Sequence, residues 1–359
     1  MMRPLDGIKI LSLATQYPGP FATMLLADLG ADVVIVERPG FGDPSRRNPD
    51  VFATFNRGKR SLALDLKTEK DKAALLRLVD KADVFIEGFR PGVAERLGFG
   101  YEDLSARNAG LVYVSISGFG QTGPYRDRPA HDLSLQALVG LLHGRERGAS
   151  DDPYAAWSDL SSAMFAALGV VSALHQRSVT GKGCVIDVAM SDTLASWMSA
   201  WLGPVLNGAP PLSLHYPGFG CYQCSDGKWV CLSITFEDRL WRPLAELTGL
   251  DEFAGLDIRQ RGERVSEIEP RLKKSILSNP FEHWAKLFTE HNIAWTPVLS
   301  PEEATQDPHF HARGLFTERK DGGESRRYVA QPLKFDGQTL GPTGPSPALG
   351  ESDPDDIWT

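Results

Sequence analysis

Between residues 7 and 117, short apolar runs alternate with helix-like stretches, and this alternation constrains the fold more than any other feature of the chain. Residues 7–14 (GIKILSLA) read as a buried strand, 20–30 as a helix rich in Ala and Leu, and Asp32–Glu37 (DVVIVE) as a second strand. The pattern continues with a strand opening at 62–66 (LALDL), a helix over 67–81, and strands at 83–87 (DVFIE) and 111–117 (LVYVSIS). Such spacing predicts an α/β fold whose mostly parallel sheet is covered on both faces.

The segment 118–189 carries two short signals, Pro129-Ala130-His131-Asp132 and Ser158-Asp159-Leu160. The second opens an apolar stretch, 163–174, that reads as a buried helix, so Asp159 sits at that helix's positive end. A strand at 184–190 follows, then a helix with Ser191 as its N-cap. Three prolines and three glycines within 208–220 read as a linker. Beyond it, Ser225-Asp226-Gly227 joins two strands of a hairpin, and helices follow over 237–248, 263–277 and 281–291. The expected organisation is a large domain over 1–200, a linker over 201–214, a small α+β domain over 215–310 and a return segment over 311–359.

With 359 residues, 42% of them hydrophobic, the chain can bury a full core. Its 38 basic against 46 acidic side chains, a net charge of -8, argue against non-specific nucleic-acid binding. The N-terminus reads as a strand rather than a signal peptide, and the run 164–174 is short for a membrane span. Four cysteines are too few for a disulfide framework and fit a reducing compartment, so the expectation is a cytoplasmic protein without membrane or nucleic-acid partner.

A dinucleotide site is the first idea for a βαβ opening, with Glu37 as ribose ligand. The first turn, Ala14-Thr15-Gln16-Tyr17-Pro18-Gly19-Pro20, lacks the G-x-G-x-x-G that lets a pyrophosphate approach. Cys221-x-x-Cys224 is half a metal site, a redox pair, or two strand cysteines before a turn; only His309-x-His311 offers further ligands, so no metal is expected. Basic residues gather where strands end: Arg38, Arg46, Arg47, Arg57, Lys59, Arg60, Lys67, Arg90 and Arg96; they form either a site for a phosphate-rich ligand or an ordinary solvated surface. Asp159 is an N-cap or a carboxylate nucleophile, and His131 a core histidine or a functional one.

Several blocks in one order resemble the family III CoA-transferases (the CaiB/BaiF family), which include the 2-methylacyl-CoA racemases. They are LLADLGADVVIVERPGFGD at 25–43, NRGKRSLALDLK at 56–67, DVFIEGFRPGVAERLGFGYEDL at 83–104, VYVSISGFGQTGPYRDRPAHD at 112–132 and TGKGCVIDVAMSD at 180–192. The resemblance implies a Rossmann-like large domain, a small domain, and a homodimer of interlocked subunits. It implies coenzyme A or acyl-CoA as substrate, with no tightly bound cofactor. Carried over residue by residue, Arg38, Lys67, Arg90 and Arg96 would meet phosphates, Leu64 and Phe89 the adenosine end, and Gln16 the same ligand.

In the transferases an aspartate at the position of Asp159 attacks the acyl-CoA thioester, giving an aspartyl acyl anhydride, then an enzyme thioester, before the acceptor acid takes the CoA. Gly218-Phe219-Gly220 would supply the loop that covers the site. In the racemases a His and an Asp transfer the α-proton, which here would be His131 and Asp159, with Glu237 matching a small-domain glutamate. Leu160-Ser161-Ser162 and the tail Ala348-Leu349-Gly350-Glu351 favour CoA transfer over racemisation, whereas His131 favours the racemase. A non-catalytic CoA-binding scaffold, with Asp159 merely a cap, is the third reading.

Overall fold

Strands β1 (Lys9–Ser12), β2 (Asp32–Glu37), β3 (Arg60–Ala63), β4 (Val84–Glu87), β5 (Val112–Ser117) and β6 (Val185–Ala189) form one sheet in the order β3-β2-β1-β4-β5-β6. Every pairing in it is parallel. The structure, a computed structural model, describes residues 2–143, 155–211, 215–321 and 324–359. Parts of the segment 118–189 and of the expected linker 201–214 therefore lie outside the described residues.

Parallel strands need crossovers, and these are α1 (Pro18–Asp28), α2 (Pro49–Asn56), α3 (Glu69–Val79), α4 (Val93–Leu97), α5 (Tyr101–Arg107), α6 (Asp132–Leu138) and α7 (Trp157–Thr180). Successive strand residues point to opposite faces, and both faces are apolar. Ile10, Val33, Ile35 and Val114 pack with α1 and α7 in one cluster, while Leu11, Val34, Val36 and Phe85 pack with Leu75 and Leu78 of α3 in the other. The expected doubly covered parallel sheet is thus the observed one.

Helix α7 has 24 residues, longer than the apolar run alone suggested, and passes for a membrane span by length and hydropathy. Its row Ala163, Ala166, Val170 and Ala173 nevertheless lies in the sheet's core cluster, the position of a soluble protein's central helix. The next helix, α8 (Met190–Trp197), is capped by Ala189, so Ser191 belongs to its first turn and is not the cap its sequence suggested. Helix α9 (Ser199–Leu206) follows.

The chain forms two compact units, one running to Gly203 and resuming at His309, the other spanning Pro204–Pro308. In the second, β7 (Phe219–Gln223) and β8 (Trp229–Ser233) form the hairpin expected around Ser225-Asp226-Gly227, with Gly227 in the left-handed region (φ 82). The helices α10 (Asp238–Leu247), α11 (Ile258–Glu263), α12 (Val265–Leu277) and α13 (Phe281–Glu290) follow, and β9 (Trp295–Pro297) pairs with β8. Tyr222, Val230, Leu232, Trp241 and Trp284 are core here, so Tyr222 and Trp241 do not line a surface pocket.

Buried polar contacts fix the edge of the sheet beside α1. Arg57 and Asp28 pair at 2.6 Å with both side chains 1% exposed. The Lys59 ammonium donates to Pro20 O, Thr23 Oγ1 and Asn56 Oδ1, and burial holds its pKa well below the usual lysine value.

Candidate active site

In the sheet, strand order reverses between β1 and β4, and ligands of open α/β sheets bind outside the carboxyl ends of the strands at such a point. A cavity of about 490 Å³ lies there. The turn after β1 (14–19), the turn after β4 (88–91), the end of β5, residues 128–132, and Ala156, Asp159 and Met190 line it.

The β1 turn is shaped by close packing and not by a glycine fingerprint. A Cβ on Gly19 would come within 2.1 Å of the Ala14 Cβ, so only glycine lets α1 start against the strand. Gln16 adopts left-handed backbone (φ 67), and its N–H donates to Asp43 Oδ2 at 2.9 Å. The Asp43 N–H in turn donates to Glu37 Oε2 at 2.8 Å. Glu37 is no ribose ligand: it is 3% exposed, and Arg46, Ser61 and Asp43 occupy its oxygens. Burial pushes its pKa up, but those contacts outweigh it and leave the carboxyl below its usual range.

The β4 turn rests on Glu87, whose carboxylate accepts from the Phe89 N–H at 2.7 Å. Burial raises its pKa to about 7 against the pull of hydrogen bonds from Ser115 and Phe89. At the end of β5 the Ser117 hydroxyl is buried without a partner among the described residues and lines the cavity, a group available to a ligand.

Asp159 lies in the first turn of α7, three residues past the N-cap Ala156, and so does not cap the helix. Asp132 performs that function from α6. Its Oδ1 accepts from the Ser158 N–H and Ser158 hydroxyl, both at 2.6 Å, and from the Asp159 N–H at 3.4 Å. The same carboxylate accepts from the Gln136 side-chain amide. With the helix-end donors taken by Asp132, the Asp159 carboxylate accepts no hydrogen bond among the described residues. Burial, and then the like charge of Asp132, raise its pKa from 3.8 to about 7. The positive end of a helix lowers a carboxyl pKa, but here burial, with Asp132 behind it, outweighs that pull.

His131 is the N-cap residue of α6 and is exposed, with its N–H donating to Ser134 Oγ at 3.2 Å; it lines the same cavity as Asp159. Gln16, Phe89 and Arg90 also line it. Arg96 is exposed on α4, where its guanidinium and that of Arg126 both approach Gly92. Arg38 follows β2 and Lys67 precedes α3; both are exposed, and neither lines this cavity. Leu64 is 5% exposed within the core cluster against which Phe89 packs. Glu237 lies in the other unit, exposed at the start of α10, where hydrogen bonds from Thr235 hold its pKa below the usual range.

Arg126 and Arg128 were not singled out by the sequence reading, yet both line the cavity. Arg128 stacks on Tyr125 at 3.9 Å, and Arg126 Nε donates to Gln121 O at 2.9 Å. Their signal was present in the block TGPYRDRPAHD, where two arginines precede His131 by a few residues. Three arginines, 90, 126 and 128, thus line the cavity together with a carboxylate that has no partner among the described residues.

The family model for CoA-transferase family III matches residues 5–353. The chain belongs to CoA-transferase family III. Among its relatives, the acetyl-CoA:oxalate CoA-transferase of Acetobacter aceti is 36% identical, with 89% of this chain and 86% of that protein covered. The human alpha-methylacyl-CoA racemase is 34% identical, with 90% of this chain and 85% of that protein covered. Of solved structures, Rv3272 from Mycobacterium tuberculosis superimposes with a TM-score of 0.87 at 29% identity, covering 97% of this chain and 98% of that one. The resemblance read from the motif blocks is therefore correct. For a family III chain the substrates are CoA thioesters, and the arginine edge offers the positive charge that a CoA phosphate needs. No group of three or more His, Cys, Asp or Glu suited to a metal occurs among the described residues.

Proposed function

We propose that the protein transfers CoA from an acyl-CoA to a free carboxylic acid, with Asp159 as the nucleophile. One observation carries the reading: among the described residues the Asp159 carboxylate lies unpartnered at the switch-point cavity while Asp132 takes over the helix cap. A nucleophile must be free of hydrogen bonds that would hold its lone pairs, and half-buried surroundings spare an acyl anhydride from water.

In the first step the Asp159 carboxylate oxygen attacks the thioester carbonyl and CoA leaves as thiolate, giving the mixed anhydride. The thiolate then attacks the aspartyl carbonyl, releasing the donor acid and leaving an enzyme thioester. The acceptor carboxylate attacks that thioester to form a new anhydride, and CoA closes the cycle on its acyl carbon. The Gln16 side-chain amide is the donor within the cavity suited to the developing oxyanion. Arg90, Arg126 and Arg128 hold CoA phosphates, joined by Arg96 beside Gly92. Arg38, Lys67 and Leu64 belong to the reading as more distant CoA contacts, and Glu237 as the small-domain glutamate of the racemase alternative.

A specific feature favours racemisation as the second reading: His131 and Asp159 line one cavity, and a carboxyl with a pKa near 7 is matched to proton transfer at neutral pH. The interlocked homodimer also belongs to this proposal. Its support is the exposed apolar row Trp157, Met164, Leu168 and Val171 along α7.

The test is mass spectrometry of the protein incubated with acyl-CoAs and quenched with hydroxylamine. A hydroxamate on Asp159, lost in Asp159→Asn together with roughly 10³-fold or more of the turnover, supports transfer. Deuterium entering the α-carbon of a 2-methylacyl-CoA in heavy water, with no adduct, would replace it by the racemase.

A further inference from the structure

The cysteine motif that sequence spacing suggested, Cys221 with Cys224, is not a pair in the folded chain. Along β7 and its continuation, alternate residues face opposite sides, so residues three apart diverge. Cys224 joins Tyr222, Val230 and Leu232 in the core, whereas Cys221 is exposed on the other face. The residue directly across the hairpin from Cys221 is Cys231 of β8.

The ladder fixes which kind of pair this is. Cys224 N–H donates to Lys228 O and Ile234 N–H donates to Gly218 O, so hydrogen-bonded positions fall on the even-numbered residues of β7 and its extensions. Cys221 and Cys231 therefore occupy a non-hydrogen-bonded site, where facing Cα atoms stand about 4.5 Å apart and side chains are closest. That separation lies at the lower end of the disulfide range, about 4.4–6.8 Å. The Cys231 thiol donates to its neighbour Leu232 O at 3.9 Å, and Cys231 is half-buried on the same face as the exposed Cys221.

The geometry points to a reversible cross-strand disulfide between Cys221 and Cys231, a redox modification site on the small unit formed by reaction with hydrogen peroxide. The exposed Cys221 sulfur, as thiolate, attacks the peroxide oxygen, which breaks the O–O bond and gives a sulfenic acid and water. The Cys231 sulfur then attacks the Cys221 sulfur, forming S–S and releasing a second water. Overall two thiols are oxidised, losing two electrons and two protons, and one peroxide is reduced. Burial pushes the Cys231 thiol up, as does the neighbouring Cys221, so the exposed Cys221 meets the oxidant first and Cys231, directly across the ladder, is placed to resolve it. The bond would join β7 to β8 just past Gly218-Phe219-Gly220 and so staple the entry to the hairpin.

The test treats the full-length protein with hydrogen peroxide, blocks residual thiols with an alkylating agent, and maps the digest without reduction. The expected result is a fall from four titratable thiols to two, a single peptide pair linking Cys221 to Cys231, and full recovery with dithiothreitol. Cys221→Ser should abolish the linked pair, while Cys184→Ser should leave it intact. A Cys221–Cys224 link, a disulfide between two chains through Cys221, or irreversible Cys221 sulfinic acid with Cys231 still alkylated would each overturn the assignment.

Discussion

Asp159→Asn should make the protein more stable at neutral and alkaline pH while removing its proposed chemistry. In the folded chain the Asp159 pKa stands at about 7 against 3.8 for a free aspartate. The folded state therefore keeps the proton to higher pH than the unfolded state does. Between these two values the folded chain binds more protons, so stability falls as pH rises and is flat again above about 7. The full interval corresponds to roughly 4 kcal/mol, and the solvent that reaches this half-buried side chain reduces the expected effect to about 2 kcal/mol. Asparagine carries no such penalty. Urea unfolding of both proteins at pH 4, 5.5, 7 and 8.5 (roughly spaced across the transition) should show near-equal stability at the acid end and a widening gain for the variant up to about pH 7. A variant that is less stable at every pH would refute the reasoning, because it would mean that Asp159 is held by favourable contacts, as a cap would be.

Asp132→Ala should cost about 1–3 kcal/mol, since it strips acceptors from the start of α7, whereas Asp132→Asn keeps an acceptor and should shift the acid limb of the pH–rate profile to lower pH by removing the like charge beside Asp159. Equilibrium unfolding and pH–rate profiles check the two variants separately, and an unmoved acid limb in Asp132→Asn would contradict the coupling. Gly19→Ala places a Cβ 2.1 Å from the Ala14 Cβ, so it should destabilise by about 1–3 kcal/mol and weaken acyl-CoA binding, measured by calorimetry. Asp28→Ala leaves the Arg57 guanidinium buried without its carboxylate partner and should cost about 3–5 kcal/mol; a loss under 1 kcal/mol in urea unfolding would mean that water enters the site.

The sheet was legible because its signal is local. Runs such as DVVIVE and LVYVSIS are strands of a doubly covered sheet by composition alone, and the helices between them leave little freedom in how the strands pair. The hairpin around Gly227 was legible for the same reason. Contacts remote in sequence were not. Nothing in Ser158-Asp159-Leu160 says that a carboxylate 27 residues earlier occupies the helix-end N–H groups. Glu37 looked like a ribose ligand because its strand-end position is visible in sequence, while Arg46 and Ser61, which consume it, are not visible as its partners. Cys221 paired on paper with its neighbour three residues on, and in the fold with Cys231 across the turn.

The same remoteness explains how one turn of helix can be both stable and reactive. If Asp159 itself capped α7, its oxygens would be engaged and its charge stabilised, which lowers nucleophilicity as it lowers the pKa. Moving the cap to Asp132, a residue 2% exposed and anchored by Gln136, keeps the helix start satisfied and leaves Asp159 uncommitted at the cavity. The penalty then falls on a single half-buried carboxylate, raised to about 7, so an appreciable fraction is ionised at neutral pH. Bound CoA would bring phosphates to the cavity that Arg90, Arg126 and Arg128 line and would displace water from Asp159. Ligand binding should therefore push the Asp159 pKa upward. The acid limb of kcat, which reports the bound state, should accordingly lie at higher pH than that of kcat/KM, which reports the free enzyme. Coincident limbs would mean that bound CoA leaves the surroundings of Asp159 unchanged.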